Sequence, residues 1–472
     1  MWRNAAISWL SVLHALVLFE HELLLFAAFW IILGAFDELA IDLCWLWLRL
    51  SGRARDLRLP EDAETLPLAG RAAVLVPAWH EAQVIGSMIR HTLEAWPQQD
   101  WTLYVGCYCN DPDTLAAAVR GAGDDARVRL IVHSREGPTT KADCLNRLYQ
   151  ALSDDEALGG FSYANVILHD AEDMVHPAAL SVFDRMLEQV DFVQLPVRPE
   201  PQPASPWVAG HYSDEFTENH AKDLVVRDAL GAAIPAAGVG CGFSRAVLAR
   251  LSEEKSARGE IGPFVADSLT EDYELGLLAS RHGAGGRFVR LRDSRGNLVA
   301  TRAYFPARLD ESVRQKTRWI HGIALQGWDR LGWSLRPVDL WMALRDRRGP
   351  LTAFVLGTAY GLLVLEAVLG MARLFGWRET VVHAPMLRTM LLICFISLVW
   401  RAVWRVALTA SEYGPAEGVR ALLRMPVANI IAIMAGRRAL FAYLRTLRGA
   451  ALHWDKTDHR DHPAVSAAGK PV

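Results

Sequence analysis

The chain has 472 residues, 51% of them hydrophobic, with a formal net charge of −3 and a mean hydropathy of +0.12. That length suits more than one domain, and the hydropathy is high for a purely soluble enzyme. The near-balanced charge leaves no whole-protein electrostatic basis for binding nucleic acid.

Apolar residues concentrate in 5–50 and 351–445, and the sequence between them reads as ordinary globular protein. The run 23–36 is uncharged but short for a span, so it is expected to extend both ways, with Glu20 and Glu22 at one interface and Asp37, Glu38 and Asp42 toward the other. Residues 44–50 have the Trp/Arg character of an interfacial helix. Arg3 precedes an apolar run at 7–19, but charged residues and no small-residue cleavage site follow, which argues against a signal peptide. These residues make up an N-terminal membrane region, 1–50, followed by a polar linker, 51–69, broken by Pro60 and Pro67.

From residue 70 strands and helices alternate. The unbroken apolar run 72–77 predicts a parallel strand buried on both faces. Val84, Ile85, Met88, Ile89 and Leu93 follow at helical spacing within 81–96. Further strands are expected at 102–109, 128–133, 165–169 and 192–197, with helices at 140–152 and 177–189. The pattern predicts an α/β, Rossmann-like domain over 70–345 with a mostly parallel sheet, whose ligands bind at the carboxyl ends of the strands. The six cysteines have no CxxC pair and read as buried reduced thiols, with Cys107 and Cys109 on one face of a strand.

His211 and Glu215, four apart, form a weak candidate metal pair without an HExxH or cysteine partner. The Gly-rich turn 238–242 lacks the spacing of a nucleotide fingerprint and reads as backbone passing close to a bound sugar. Residues 351–375 and 386–400 are firm spans, and the loop between them carries Arg373 and Arg378. Arg424 and Pro426 within 421–436 suggest a re-entrant or interfacial segment, so the 346–450 region brings the total to three or four spans. A polar tail, 451–472, follows. Basic clusters at 49–58, 345–348, 401–405 and 437–448 put these flanks, and the domain between them, in the cytosol of a multi-pass membrane protein.

Three strand ends deliver carboxylates to one sheet edge: Glu81 after Pro77, Asp111 and Asp113 after the second strand, and Asp170, Glu172 and Asp173 after the fourth. Helix capping would explain each alone, but three converging sets repel unless a cation or hydrogen-bond donors neutralise them. Thr270-Glu271-Asp272 and Gln315-Lys316-Thr317-Arg318-Trp319 follow in order, the second leading toward a span; Gln315, Arg318 and Trp319 can share one helical face.

In this order the motifs resemble those of glycosyltransferase family 2, the inverting GT-A enzymes that include cellulose, hyaluronan and poly-N-acetylglucosamine synthases. The resemblance implies a UDP-sugar donor. Pro77, Glu81, Asp111 and Asp113 would contact the nucleotide, with Lys141 and Asp170 also on the donor side. His80 stands where many members have Asn. Asp170-Ala171-Glu172 resembles the family's Asp-Ala-Asp motif, implying Mg²⁺ or Mn²⁺ on Asp170 and on Glu172 or Asp173. Asp272 matches the family's general base, with Glu271 beside it, and Gln315, Arg318 and Trp319 match its diphosphate and acceptor contacts. Residues 76–79, 110–114, 137–146, 169–173, 304–306 and 454–457 are similar to the NfrB-type inner-membrane branch. That branch implies a bacterial inner-membrane enzyme building a surface polysaccharide, with an outer-membrane export partner. Its cytosolic regulatory domain has no counterpart before the chain ends soon after Lys456, so cyclic-di-GMP control is not expected here. Two alternatives stand beside this reading: single transfer to a lipid-linked acceptor, and an inactive membrane scaffold or receptor that keeps the fold.

Overall fold

The computed structural model describes residues 2–281, 285–375, 384–449, 459 and 461–468. At its centre is a seven-stranded sheet: β1 (Ala72–Pro77), β2 (Trp101–Tyr108), β3 (Val128–His133), β4 (Asn165–Leu168), β5 (Phe192–Gln194), β6 (Cys241–Ser244) and β7 (Gly286–Phe288). Their spatial order is β3-β2-β1-β4-β6-β5-β7, parallel except for β6, which runs antiparallel to both neighbours. β1 carries the apolar run expected of a strand covered on both faces. Its alternate residues Val74 and Val76 enter one core with Ile85, Met88 and Leu103, while Ala73 and Leu75 enter the other with Tyr104, Leu145 and Leu148. Helices Ile85–Ala95, Pro112–Ala122 and Lys141–Gly159 make the crossovers.

Several sequence expectations shift. The 192–197 run is not one strand: it breaks at Pro196, which has no N–H to donate, and Val197–Pro199 pairs instead with Thr301–Ala303. The helix expected from residue 81 begins at Ile85 because His80 takes a left-handed conformation, φ 54°. Asn tolerates that region better than most residues, which accounts for the family's preference there. Cys107 is buried and Cys109 exposed, because β2 ends at Tyr108 and Cys109 lies in the turn.

Four helices are long and apolar enough to cross a membrane: Leu18–Leu50, Gly349–Met371, Pro385–Tyr413 and Pro415–Thr446. Residues 44–50 are not a separate helix but the end of Trp2–Leu50, where Ile41 and Leu48 pack with Val226, Ala232 and Met342 of the catalytic domain. Pro415–Thr446 runs unbroken through Pro426. It lies along the catalytic domain: buried Arg424 pairs with Asp214 at 2.6 Å, Ile431 and Ala435 pack with Val313, and Tyr443 Oη donates to Asp329 at 2.6 Å. At 1.5 Å per residue, these contacts are spread over roughly 28 Å of helix from Arg424 to Tyr443. Arg378 and the 454–457 motif lie outside the described residues.

Candidate active site

A cavity of about 520 Å³ opens at the carboxyl edge of β1, β2 and β4 and is closed on its far side by helices that follow the sheet. Pro77, Glu81, Lys141, Asp170, Glu172, Asp173, Glu271, Asp272, Gln315, Arg318 and Trp319 all line it. Asp111 and Asp113 do not. Asp111 spends both oxygens on the fold, accepting from His80 N at 2.6 Å and, as the cap of helix Pro112–Ala122, from Thr114 N at 3.3 Å. Asp113 is exposed in the first turn of that helix. Asp111 thus caps the helix with one oxygen and holds the His80 turn with the other.

Lys141 opens helix Lys141–Gly159, whose start is set by the Thr140 side chain accepting from Asp143 N. The lysine's Nζ reaches Asp170 Oδ1 at 2.6 Å. Burial opposes its charge, but Asp170, Asp272 and Glu271 together hold it protonated, well above the ordinary lysine range. Asp272 stands in the first turn of helix Glu271–Arg281 and accepts from Tyr273 N at 2.8 Å. Burial raises its carboxyl above the usual range against the pull of Lys141, with Asp170 adding repulsion. Burial and Asp272 likewise push Glu271 up to about 7.

The Gly-rich turn packs against Asp272 and Thr301. A Cβ at Gly238, φ 76°, would sit 2.0 Å from Asp272 Oδ2, and one at Gly240 would sit 2.2 Å from Thr301 Oγ1. The turn thus makes room for the Asp272 carboxylate.

On helix Leu309–Trp319 the three motif residues face the cavity, and Lys316 between them grips Glu215 at 2.6 Å. His211 Nδ1 bonds the Val208 carbonyl, and Glu215 is held by Lys316; among the described residues the two belong to no group of three or more ligand atoms close enough to share an ion. Gln315 Oε1 is a buried acceptor without a hydrogen-bond partner among the described residues. Trp319 meets Tyr212 edge-on, with ring centres 6.1 Å apart, and lies 6.2 Å from Phe216; Phe305 closes the group. This aromatic floor was not visible in the sequence, because its members come from three separated segments.

Glu172 and Asp173 part company. Asp173 is 1% exposed, and its Oδ2 accepts from Asp170 N at 3.0 Å and lies 2.8 Å from His169 Nδ1, holding the turn after β4. Glu172 faces the cavity. Burial pushes it up to about 8, against the pull of His459 and with repulsion from Asp170, Glu81 and Asp173. Among the described residues one group has the composition of a metal site, with ligand atoms of Glu81, Glu172 and His459 within 4.8 Å of one another. Oxygen donors with a single imidazole suit Mg²⁺ or Mn²⁺. His459 carried no sequence signal beyond following the 454–457 motif.

The model of the glycosyltransferase-like family 2 matches residues 69–322. Bacteriophage adsorption protein B of Escherichia coli K12 and bacteriophage N4 adsorption protein B of Escherichia coli O157:H7 are each 34% identical over 462 residues. The alignment takes in 92% of this chain and 61% of each relative, so the chain spans about three-fifths of their length. Among solved structures, glucosyl-3-phosphoglycerate synthase from Mycobacterium tuberculosis, in complex with Mn²⁺, uridine diphosphate and phosphoglyceric acid, is 19% identical. That likeness covers 58% of this chain and 81% of the synthase, with a TM-score of 0.33.

Proposed function

The chain belongs to glycosyltransferase family 2, and on that premise we propose that it transfers a sugar, with inversion, from a UDP-sugar to a growing surface glycan at the bacterial inner membrane. The observation that carries this reading is that Asp170, paired with Lys141 at 2.6 Å, and Asp272 line one cavity. A donor-side carboxylate and a candidate base, from distant parts of the chain, thus face the same space, with Lys141 beside the first.

Asp170 and Glu172 would hold Mg²⁺ or Mn²⁺, which when bound neutralises charge on the departing diphosphate. Lys141 and Arg318 supply fixed positive charge toward the same leaving group. Asp272 takes the proton of the acceptor hydroxyl as its oxygen attacks the anomeric carbon on the face opposite the UDP. Burial raises its affinity for protons, which makes it a stronger base than an exposed aspartate. Trp319, backed by Tyr212 and Phe216, offers an aromatic face to the acceptor sugar, and Gln315 Oε1 an acceptor for one of its hydroxyls. The basic flanks of the long helices favour a cytosolic catalytic domain, where activated donors are found, and an export partner in the outer membrane would receive the product.

The test is UDP release from the purified full chain over a panel of UDP-sugars with Mn²⁺. One donor is expected to be turned over. Asp272→Asn should bind it normally and lose about 10²–10⁴ in rate; full activity in that variant sinks the assignment.

A further inference from the structure

The described part of the chain's last stretch returns to the catalytic domain. Helix Pro463–Ala468 packs on helix Ile85–Ala95. His462, 2% exposed, donates from Nε2 to the Asp173 carbonyl at 3.1 Å, beside His91. These contacts bring His459 to the cavity, where Nδ1 lies 3.0 Å from Glu81 Oε1 and Nε2 lies 3.2 Å from Glu172 Oε1.

The two ring nitrogens meet different surroundings. Both carboxylates line the cavity, but Glu81 is the more enclosed, its side chain 4% exposed against 15% for Glu172, and Glu172 belongs to the same turn as Asp170. A metal-bound histidine ordinarily donates its second N–H to a carboxylate that fixes the ring's orientation. Glu81 stands in that position toward Nδ1, leaving Nε2 aimed at Glu172. Adjacent ligands of one octahedral ion at ~2.1 Å lie about 3.0 Å apart, close to the Nε2–Glu172 separation, so the pair can share an ion with little movement.

We propose that His459, oriented by Glu81, is a ligand of the divalent cation held by Glu172, so that the C-terminal segment completes the donor site. The inference rests on the reading of this cavity as a metal-assisted donor site. It gives Glu81 a positioning role in place of the direct nucleotide contact implied by the family motif. It also makes the site complete only when His459 and helix Pro463–Ala468 are docked.

The test uses the full chain in detergent and Mn²⁺ alone, with binding followed by electron paramagnetic resonance. Wild type should bind, and His459→Ala and Glu172→Gln should each weaken binding by about 10-fold or more, with Glu81→Gln weakening it less. Unchanged unfolding temperatures would show that these variants fold. His459→Cys should trade affinity for Mn²⁺ against affinity for Cd²⁺, as a thiolate prefers a soft ion. The proposal is overturned if wild type fails to bind, if His459→Ala binds like wild type while Glu172→Gln does not, or if His459→Cys gains nothing toward Cd²⁺. UDP release is measured separately: Mn²⁺ bound in this pattern by a protein that turns over no UDP-sugar would sink the transferase reading and leave the ligand assignment standing.

Discussion

Two buried clusters of charge, one where the first long helix meets the catalytic domain and one in the cavity, are balanced in opposite ways. At the junction, Asp37, Glu38, Asp42, Glu218 and Asp223 face Lys222, Arg345, Arg348, Arg401 and Arg405, five carboxylates against five cations. In the cavity, once Asp173, Glu215 and Asp346 are set aside as paired with His169, Lys316 and Arg227, the lining leaves Glu81, Asp170, Glu172, Glu271 and Asp272 against Lys141 and Arg318, five against two, before His459 is counted. A matched cluster satisfies its own charges and fastens two parts of the molecule. An unmatched one is tolerable only if it holds protons or receives a cation, and that need marks it as a site for chemistry.

The comparison breaks most sharply on one substitution in each cluster. Lys222 has no exposed side-chain surface and touches Asp42 at 2.6 Å, Glu218 at 3.4 Å and Glu38 at 3.8 Å. Lys222→Met strands buried carboxylates and should cost about 3–5 kcal/mol of stability, read by thermal unfolding in detergent. Asp170→Asn removes one charge from the surplus and leaves Lys141 with Asp272 and Glu271. It should hold or raise the unfolding temperature while abolishing transfer, the trade expected of a functional site. Equal destabilisation by the two variants would erase the distinction between fastening and chemistry.

Gly238→Ala sharpens the same contrast within the cavity. The added methyl would meet Asp272 Oδ2 in a backbone conformation that L residues adopt at a cost of about 1–3 kcal/mol. Turnover should fall further than stability does, because the carboxylate must move. A variant with lowered unfolding temperature and normal turnover would show that the turn does not set the position of the base.

How far the sequence foretold this arrangement depended on whether the physics was local. The run 72–77 announced β1 because a strand covered on both faces must be apolar throughout, and Glu81 and Asp170 met because parallel strands deliver their carboxyl ends to one edge, whereas Asp272 and Arg318 are brought there by the helices Glu271–Arg281 and Leu309–Trp319. Asp111 shows how a carboxylate that caps a helix and one that binds a ligand look alike in one dimension. Glu172 and Asp173 could be separated only by seeing that the latter is spent on the turn after β4. The Pro415–Thr446 helix read as interrupted because Arg424 and Pro426 look like breakers, whereas Asp214 and Glu417 neutralise the arginine and the helix continues through the proline. His459 is the extreme case. A single histidine in a polar tail acquires meaning only from carboxylates that lie hundreds of residues earlier.

The smallest expected effect is a pH dependence that only the unbalanced cluster should show. Glu271 releases its proton at about 7 when folded, against an ordinary value of 4.5. A carboxyl whose folded affinity for protons is raised stabilises the fold below its unfolded value. That contribution is lost as pH rises from about 4.5 to about 7, because only the unfolded chain gives up the proton freely across that window. One such group can change the unfolding free energy by at most about 1.4 kcal/mol per pH unit. Glu271→Gln has no proton to lose, so the difference in unfolding temperature between the two ends of that window should narrow relative to wild type. Arg345, at the matched junction, is the control: its substitution by Met should lower stability at both ends alike. If Glu271→Gln keeps the wild-type slope, the surplus negative charge is being neutralised by something other than a proton held on Glu271.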